Sequence, residues 1–194
     1  MKNTTKWLAT LSSAALLAGT LASGIPAFAH AKSTAKHAKS SVVVVSTSIV
    51  TGKMDHRKGW PKYEPAMFHV PAGKTIKLVI KSYDDGSATV PASDAKVQGT
   101  VGGVEWVNGK KFSSFKAADV AHTMTIMEGA KTINIVVPVR SAKEKFVTVT
   151  AEFSFPKAGT YNWQCEAACG TGSSGWMGPM MTNGWMKGTW VVKK

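Results

Sequence analysis

From Ser41 onward the chain alternates between short β-branched or aromatic runs and clusters of Gly, Pro, Asn and Asp. SVVVVSTSIV (41–50) is a continuous run of strand formers. Pro71 to Gly73 turn the chain into a second run, where Ile76, Leu78 and Ile80 alternate with Lys77, Val79 and Lys81. That alternation makes one face apolar and the other mostly hydrated, which predicts a strand. Asp84-Asp85-Gly86 ends it with turn chemistry. KFVTVTAEFSF (145–155) repeats the pattern, with Val147, Val149, Ala151, Phe153 and Phe155 on one face. HTMTIM (122–127), TINIVVPV (132–139), TYNWQC (160–165) and GTWVVKK (188–194) predict further strands. Shorter strands are expected around Val97–Val101 and Val104–Val107, with a turn at Asn108-Gly109. Residues 52–65, which hold Pro61 and Pro65, read as a loop. No convincing helix interrupts the series, so the pattern predicts an all-β two-sheet sandwich or small barrel of about seven or eight strands.

The N-terminal part has a different character. Lys2 and Lys6 precede the mostly small and apolar stretch Trp7 to Ala22, and Ala27-Phe28-Ala29 fits a small-x-small cleavage rule. Residues 1–29 are therefore expected to be an export signal, leaving a protein that is secreted or otherwise outside the cytoplasmic membrane, in the periplasm or cell envelope. HAKSTAKHAKSS (30–41) has no apolar periodicity and reads as a flexible tether. Residues 42–194 then form the single folded domain expected of a chain of 194 residues.

The formal charge of +13 suits an acidic redox partner protein of the cell envelope, or peripheral contact with an anionic membrane or wall surface. Export argues against nucleic acid as the partner. Two cysteines are present, Cys165 and Cys169. Their three-residue spacing closes a ring too small to constrain much of the unfolded chain, whereas two close thiols beside methionines suit a soft metal at least as well. Strand parity adds a further constraint. His122 shares the parity of Met124 and Ile126, and Cys165 that of Tyr161 and Trp163, so both are expected to point inward at strand ends. A buried imidazole beside a buried thiolate is costly unless something pairs them, and a metal ion does so. Imidazole, thiolate and a weak thioether are the ligand types used by copper in electron transfer. No Gly-x-Ser-x-Gly elbow, His-Glu-x-x-His or phosphate loop occurs, and no enzyme activity is expected.

Four segments, in order, resemble the cupredoxins: HVPAGKTIKLVI (69–80), DVAHTMTI (119–126), FPKAGTYNWQC (155–165) and WMKGTWVV (185–192). The resemblance covers roughly the last two-thirds of the chain. It implies a Greek-key β-sandwich that binds copper and passes single electrons. It also implies His122 as the first histidine ligand, Cys165 as the ligand cysteine and Met186 as the axial thioether, with Met177 and Met180 as alternatives. The loop CEAACGTGSSGWMGPMM departs from plastocyanin-like members, since no histidine follows Cys165. Its Cys-x-x-x-Cys-Gly is similar to the binuclear copper A site of cytochrome oxidase subunit II, which implies Cys169 as a second thiolate. Where that family places a histidine and a methionine, this chain has Ser173 and Trp176, with Met177 one step beyond. His56 and His69 are the imidazoles left in the domain, and both read as surface residues. Two rivals stay open beside electron transfer: a copper(I) chaperone or scavenger, and a metal-free sandwich with a Cys165–Cys169 disulfide.

Overall fold

The computed structural model describes residues 41–194 except Thr89, Gly129 and Ala130. The expected export signal, residues 30–40 of the tether, His30 and His37 lie outside the described residues. Among the described residues, eleven strands form two sheets. β1 (Val43–Val50), β2 (Lys62–Glu64), β4 (Thr75–Ser82), β5 (Glu105–Val107), β6 (Lys110–Phe112) and β9 (Val147–Ser154) make a sheet in the order β2-β1-β4-β9-β5-β6. β3 (Met67–Pro71), β7 (Val120–Glu128), β8 (Lys131–Pro138), β10 (Gly159–Gln164) and β11 (Lys187–Lys193) make the other, in the order β3-β11-β10-β7-β8. Eight of these are five residues or longer and supply most of the core, to which Tyr63 of β2 adds a fully buried ring. The chain crosses between sheets after β2, β3, β6, β8 and β9, the crossing pattern of Greek-key sandwiches. β1 pairs with β4 and β3 with β11 in parallel; every other pairing is antiparallel.

Alternation explains the core. Ile76, Leu78 and Ile80 of β4 are fully buried beside Val149, Ala151 and Phe153 of β9. From the other sheet come Met124 and Ile126 of β7, Trp163 of β10 and Trp190 of β11. Trp190 stacks on Phe68 at 4.2 Å and meets Phe153 edge-on at 5.4 Å. Aromatic pairs of this geometry add about 0.5–1.5 kcal/mol beyond the area they bury.

Two local expectations fail for physical reasons. Residues 62–64, read as loop because of the flanking prolines, form β2 at the edge of the first sheet. A strand this short at an edge tolerates proline on either side, because the outward N–H groups need no partner. Val97–Val101 is not a strand. Gly99 has φ +66°, and a Cβ there would press on the backbone of Ile133, so the run bends into a single 3-10 turn at Val101–Gly103. The bend has a use. Residues 94–98 are drawn across β8, where Gln98 pairs with Asn134 and the Asn134 side-chain amide donates to the carbonyls of Asp94 and Lys96. β8 is therefore buried on both faces from Ile133 to Val137.

The motif Met186-Lys187-Gly188 also has a packing basis. A Cβ on Gly188 would collide with the Ala66 carbonyl and the Trp163 indole nitrogen, while that nitrogen and the Thr189 amide both donate to the same carbonyl. Only glycine lets β11 approach this closely to the chain before β3.

Candidate metal centre

Antiparallel pairing sets the end of β10 beside the middle of β7, with Trp163 opposite Ile126 and Gln164 opposite Thr125, so the chain beyond β10 runs toward the start of β7. Cys165 follows β10 directly. His122 sits after a register shift at the start of β7; such a bulge re-aims a side chain. Both side chains are buried, at 0% and 1% exposure. Cys165 Sγ lies 4.0 Å from His122 Nδ1 and 3.5 Å from Cys169 Sγ. The three donor atoms lie within 4.8 Å of one another. That is the spread of ligands around first-row ions, whose bonds to N and S run ~2.0–2.3 Å.

The remaining ligand candidates separate. Met180, in the 3-10 turn Gly178–Met180, is 1% exposed and brings Sδ to 3.3 Å from Cys169 Sγ. Met186 is fully buried, but its described contacts with this region are backbone ones: its carbonyl accepts from the Cys165 amide and its amide donates to Pro179. Met177 is 57% exposed; the expectation that it faces the cluster fails because its backbone pairs with Thr171 across the loop, leaving the side chain in solvent. His56 and His69 are exposed and stand outside the cluster.

Two partners complete the site. The Thr123 amide donates to Cys165 Sγ at 3.4 Å, and Asp84 Oδ2 lies 2.9 Å from His122 Nε2. Its place in Asp84-Asp85-Gly86 marks Asp84 only as a turn residue. A signal for it existed: Ile76, Leu78, Ile80 and Ser82 point inward, and Asp84 continues their parity past the end of β4.

The charges follow from these contacts. Burial pushes the Asp84 carboxyl up, but His122 and the amides of Gly86 and Asp85 outweigh it and bring its pKa to about 2. Burial favours neutral imidazole at His122; its hydrogen bonds to Asp84 and Cys165 prevail and raise it to about 9. Burial pushes the Cys165 thiol up, yet hydrogen bonds from Cys169, His122 and the Thr123 amide hold it well below the ordinary thiol range. The hydrogen bond to Cys165, with burial, pushes Cys169 up. Without metal the site is thus a carboxylate–imidazolium–thiolate chain with a proton left on Cys169.

The same chain could suggest a nucleophilic cysteine. Its geometry disfavours that: Cys165 is wholly buried, with no exposed surface from which to attack a substrate. The donor set fits copper. Two thiolates, an imidazole and a thioether are soft to borderline ligands, and the cysteines are free, with their sulfurs well beyond the ~2.05 Å of a disulfide.

A cleft of about 810 Å³ opens onto the site, with Asp84, His122 and Cys169 in its lining and Cys165 behind them. Lys53, Lys58, Arg140 and Lys145 stand in its walls.

No family model matches the chain, and no curated protein is similar to it at a meaningful level. Solved structures are similar in backbone course. Reduced rusticyanin is 17% identical, over 78% of this chain and 79% of that one, with a TM-score of 0.42. Auracyanin A from Chloroflexus aurantiacus, described as a "blue" copper protein, is 15% identical over 79% and 100%, with a TM-score of 0.39. Dithionite-reduced auracyanin from Roseiflexus castenholzii is 13% identical over 78% and 98%, with a TM-score of 0.41. These neighbours are cupredoxins.

Proposed function

We propose that this chain is an exported copper protein of cupredoxin type that passes single electrons. The observation that carries the reading is the buried cluster of Cys165, Cys169 and His122 with the Met180 thioether against it. Copper bound there would supply a one-electron couple. The residues supply the rest: two packed sheets hold His122 and Cys165 at adjoining strand ends, which limits ligand rearrangement between oxidation states. The lysines around the cleft suit an acidic partner protein of the cell envelope, guided to the site by charge; an anionic membrane or wall surface is the other contact they would favour.

A second reading, a copper(I) carrier without redox turnover, is favoured by one specific feature. Cys169 faces the cleft with a thioether at 3.3 Å, a soft pair at the entrance where copper(I) would be handed over.

Copper(II) addition to the purified protein, followed by absorption, electron paramagnetic resonance and voltammetry, tests both. Intense thiolate-to-copper absorption with a reversible couple supports electron transfer. A colourless protein that binds copper(I) tightly and exchanges it with a chelator supports the carrier. Absence of copper uptake in either state overturns the copper reading.

A further inference from the structure

A neutral imidazole has one N–H and one lone pair, and whichever group bonds one nitrogen decides which nitrogen is left to ligate. Asp84 Oδ2 is 2.9 Å from Nε2 of His122, and an ionised carboxylate only accepts. A proton is therefore held on Nε2, and Nδ1, which faces Cys165 at 4.0 Å, is the nitrogen left to ligate once a metal displaces its proton. The ring has no room to turn away, since it is 1% exposed and Tyr63 packs edge-on to it at 6.5 Å.

Asp84 is itself held. Its Oδ1 accepts from the Gly86 amide at 3.0 Å. Arg140, just past β8, fixes the loop that carries it. Arg140 Nε donates to the Tyr83 carbonyl at 3.1 Å, its Nη2 reaches Asp85 Oδ2 at 2.7 Å, and its own amide donates to the Asp84 carbonyl at 3.3 Å. Nη1 donates to the carbonyls of Ser141 and Glu144. One side chain thus ties the segment after β4 to the β8–β9 connection. That is more anchoring than a solvent-facing turn requires, and its outcome is one carboxylate oxygen aimed at one imidazole nitrogen.

We infer that Asp84 is the positioning residue of the metal centre. Its carboxylate holds His122 in the tautomer that offers Nδ1 and places a negative charge behind the ring, and Arg140 locks the loop that presents it. The inference rests on the copper reading. Carboxylates behind ligating histidines are a recurrent device, and removing one costs about 10–100-fold in metal affinity.

The test compares wild type, Asp84→Asn, Asp84→Ala and Arg140→Met. Copper(I) affinity is measured by competition with a chromogenic chelator, the reduction potential by voltammetry, and folding by thermal unfolding of the metal-free proteins. Asp84→Ala is expected to bind about 10–100-fold more weakly. Asp84→Asn keeps the shape and can still accept from Nε2–H, so it should retain more affinity. It should nonetheless show a higher potential, because the lost negative charge had favoured the more positive oxidation state. Arg140→Met should move affinity in the direction of Asp84→Ala, by less. Wild-type affinity and potential in a folded Asp84→Asn and Asp84→Ala would overturn the inference and leave the copper reading standing. A wild type that takes up no copper would overturn both.

Discussion

Glu105 is a buried acid that the metal centre does not use, and it should make the fold itself pH-dependent. It lies in β5 with no exposed surface. Its Oε2 accepts from the Val136 amide at 3.0 Å, which ties β5 of one sheet to β8 of the other, while Oε1 has no partner among the described residues. Burial pushes its pKa from 4.5 to about 8, against the lowering effect of the Val136 amide. In the folded protein Glu105 thus stays protonated through a range where the unfolded chain ionises. Between pH 4.5 and about 8 the native state binds the extra proton, so stability falls as pH rises. The contribution is fully present below the unfolded value and is gone above the folded one. At 1.36 kcal/mol per pH unit the span amounts to about 5 kcal/mol, a large share of the ~5–15 kcal/mol of a typical domain. Glu105→Gln removes the ionisation and keeps the shape. Urea unfolding of both proteins at intervals from pH 5 to pH 8.5 measures the difference, in which the titrations of Asp84, His122 and the cysteines cancel if the sites do not couple. Glu105→Gln should lie near wild type at pH 5 and become the more stable protein by several kcal/mol at pH 8.5. Parallel stability profiles would refute the reasoning.

The other predictions concern the site and its surroundings. Cys165→Ser and His122→Ala should each abolish thiolate-to-copper absorption, read on copper-titrated protein at equal fold content. Met180→Leu should lower copper(I) affinity in a chelator competition while Met177→Leu leaves it unchanged, since Met180 is buried against Cys169 and Met177 is in solvent. Replacing Lys53, Lys58 and Lys145 by Glu should slow oxidation of the copper(I) form by ferricyanide at least about tenfold at low salt, with the effect vanishing at high salt; an unchanged rate would mean that reactants do not approach through the cleft. Gly188→Ala should cost about 1–3 kcal/mol, seen as a lower urea midpoint, because the new methyl meets backbone and an indole that cannot yield cheaply.

Strand alternation made most of the fold legible before any coordinates. β4 and β9 each bury one clean face and wet the other, so periodicity alone located their inward residues. The same parity locates His122 and Cys165, and it extends past Ser82 to Asp84, whose turn composition masks it. The segment from Gly170 to Met186 was not legible in this way. It has no period: its course is set by irregular pairings such as Gly170 with Gly175 and Thr171 with Met177. Which methionine reaches Cys169 depends on those pairings, so spacing ranks Met186 first with Met177 and Met180 as alternatives, and the fold sets the Met180 thioether against Cys169. Residues 97–101 misled for the opposite reason. Their composition suits a strand, but Gly99 and the wrap over β8 bend them away.

The two readings of the cysteine pair differ in what they tie together. A Cys165–Cys169 disulfide would close a loop of about five residues, worth roughly 2 kcal/mol in the chain-entropy picture. It would also consume the thiolate toward which the Thr123 amide and the His122 ring are directed, leaving Asp84 and His122 as a buried ion pair with no further function. An ion held by the same residues joins β7, the end of β10 and the Met180 loop at one point. Its binding energy counts directly toward the folded state, about 4 kcal/mol at a thousandfold excess over the dissociation constant. A structural staple needs none of the anchoring that Arg140 gives the Asp84 loop, nor the burial of a third sulfur beside Cys169. Those features are accounted for when His122 has a metal to meet, and this is why the arrangement as a whole, rather than the cysteines alone, argues for a copper centre.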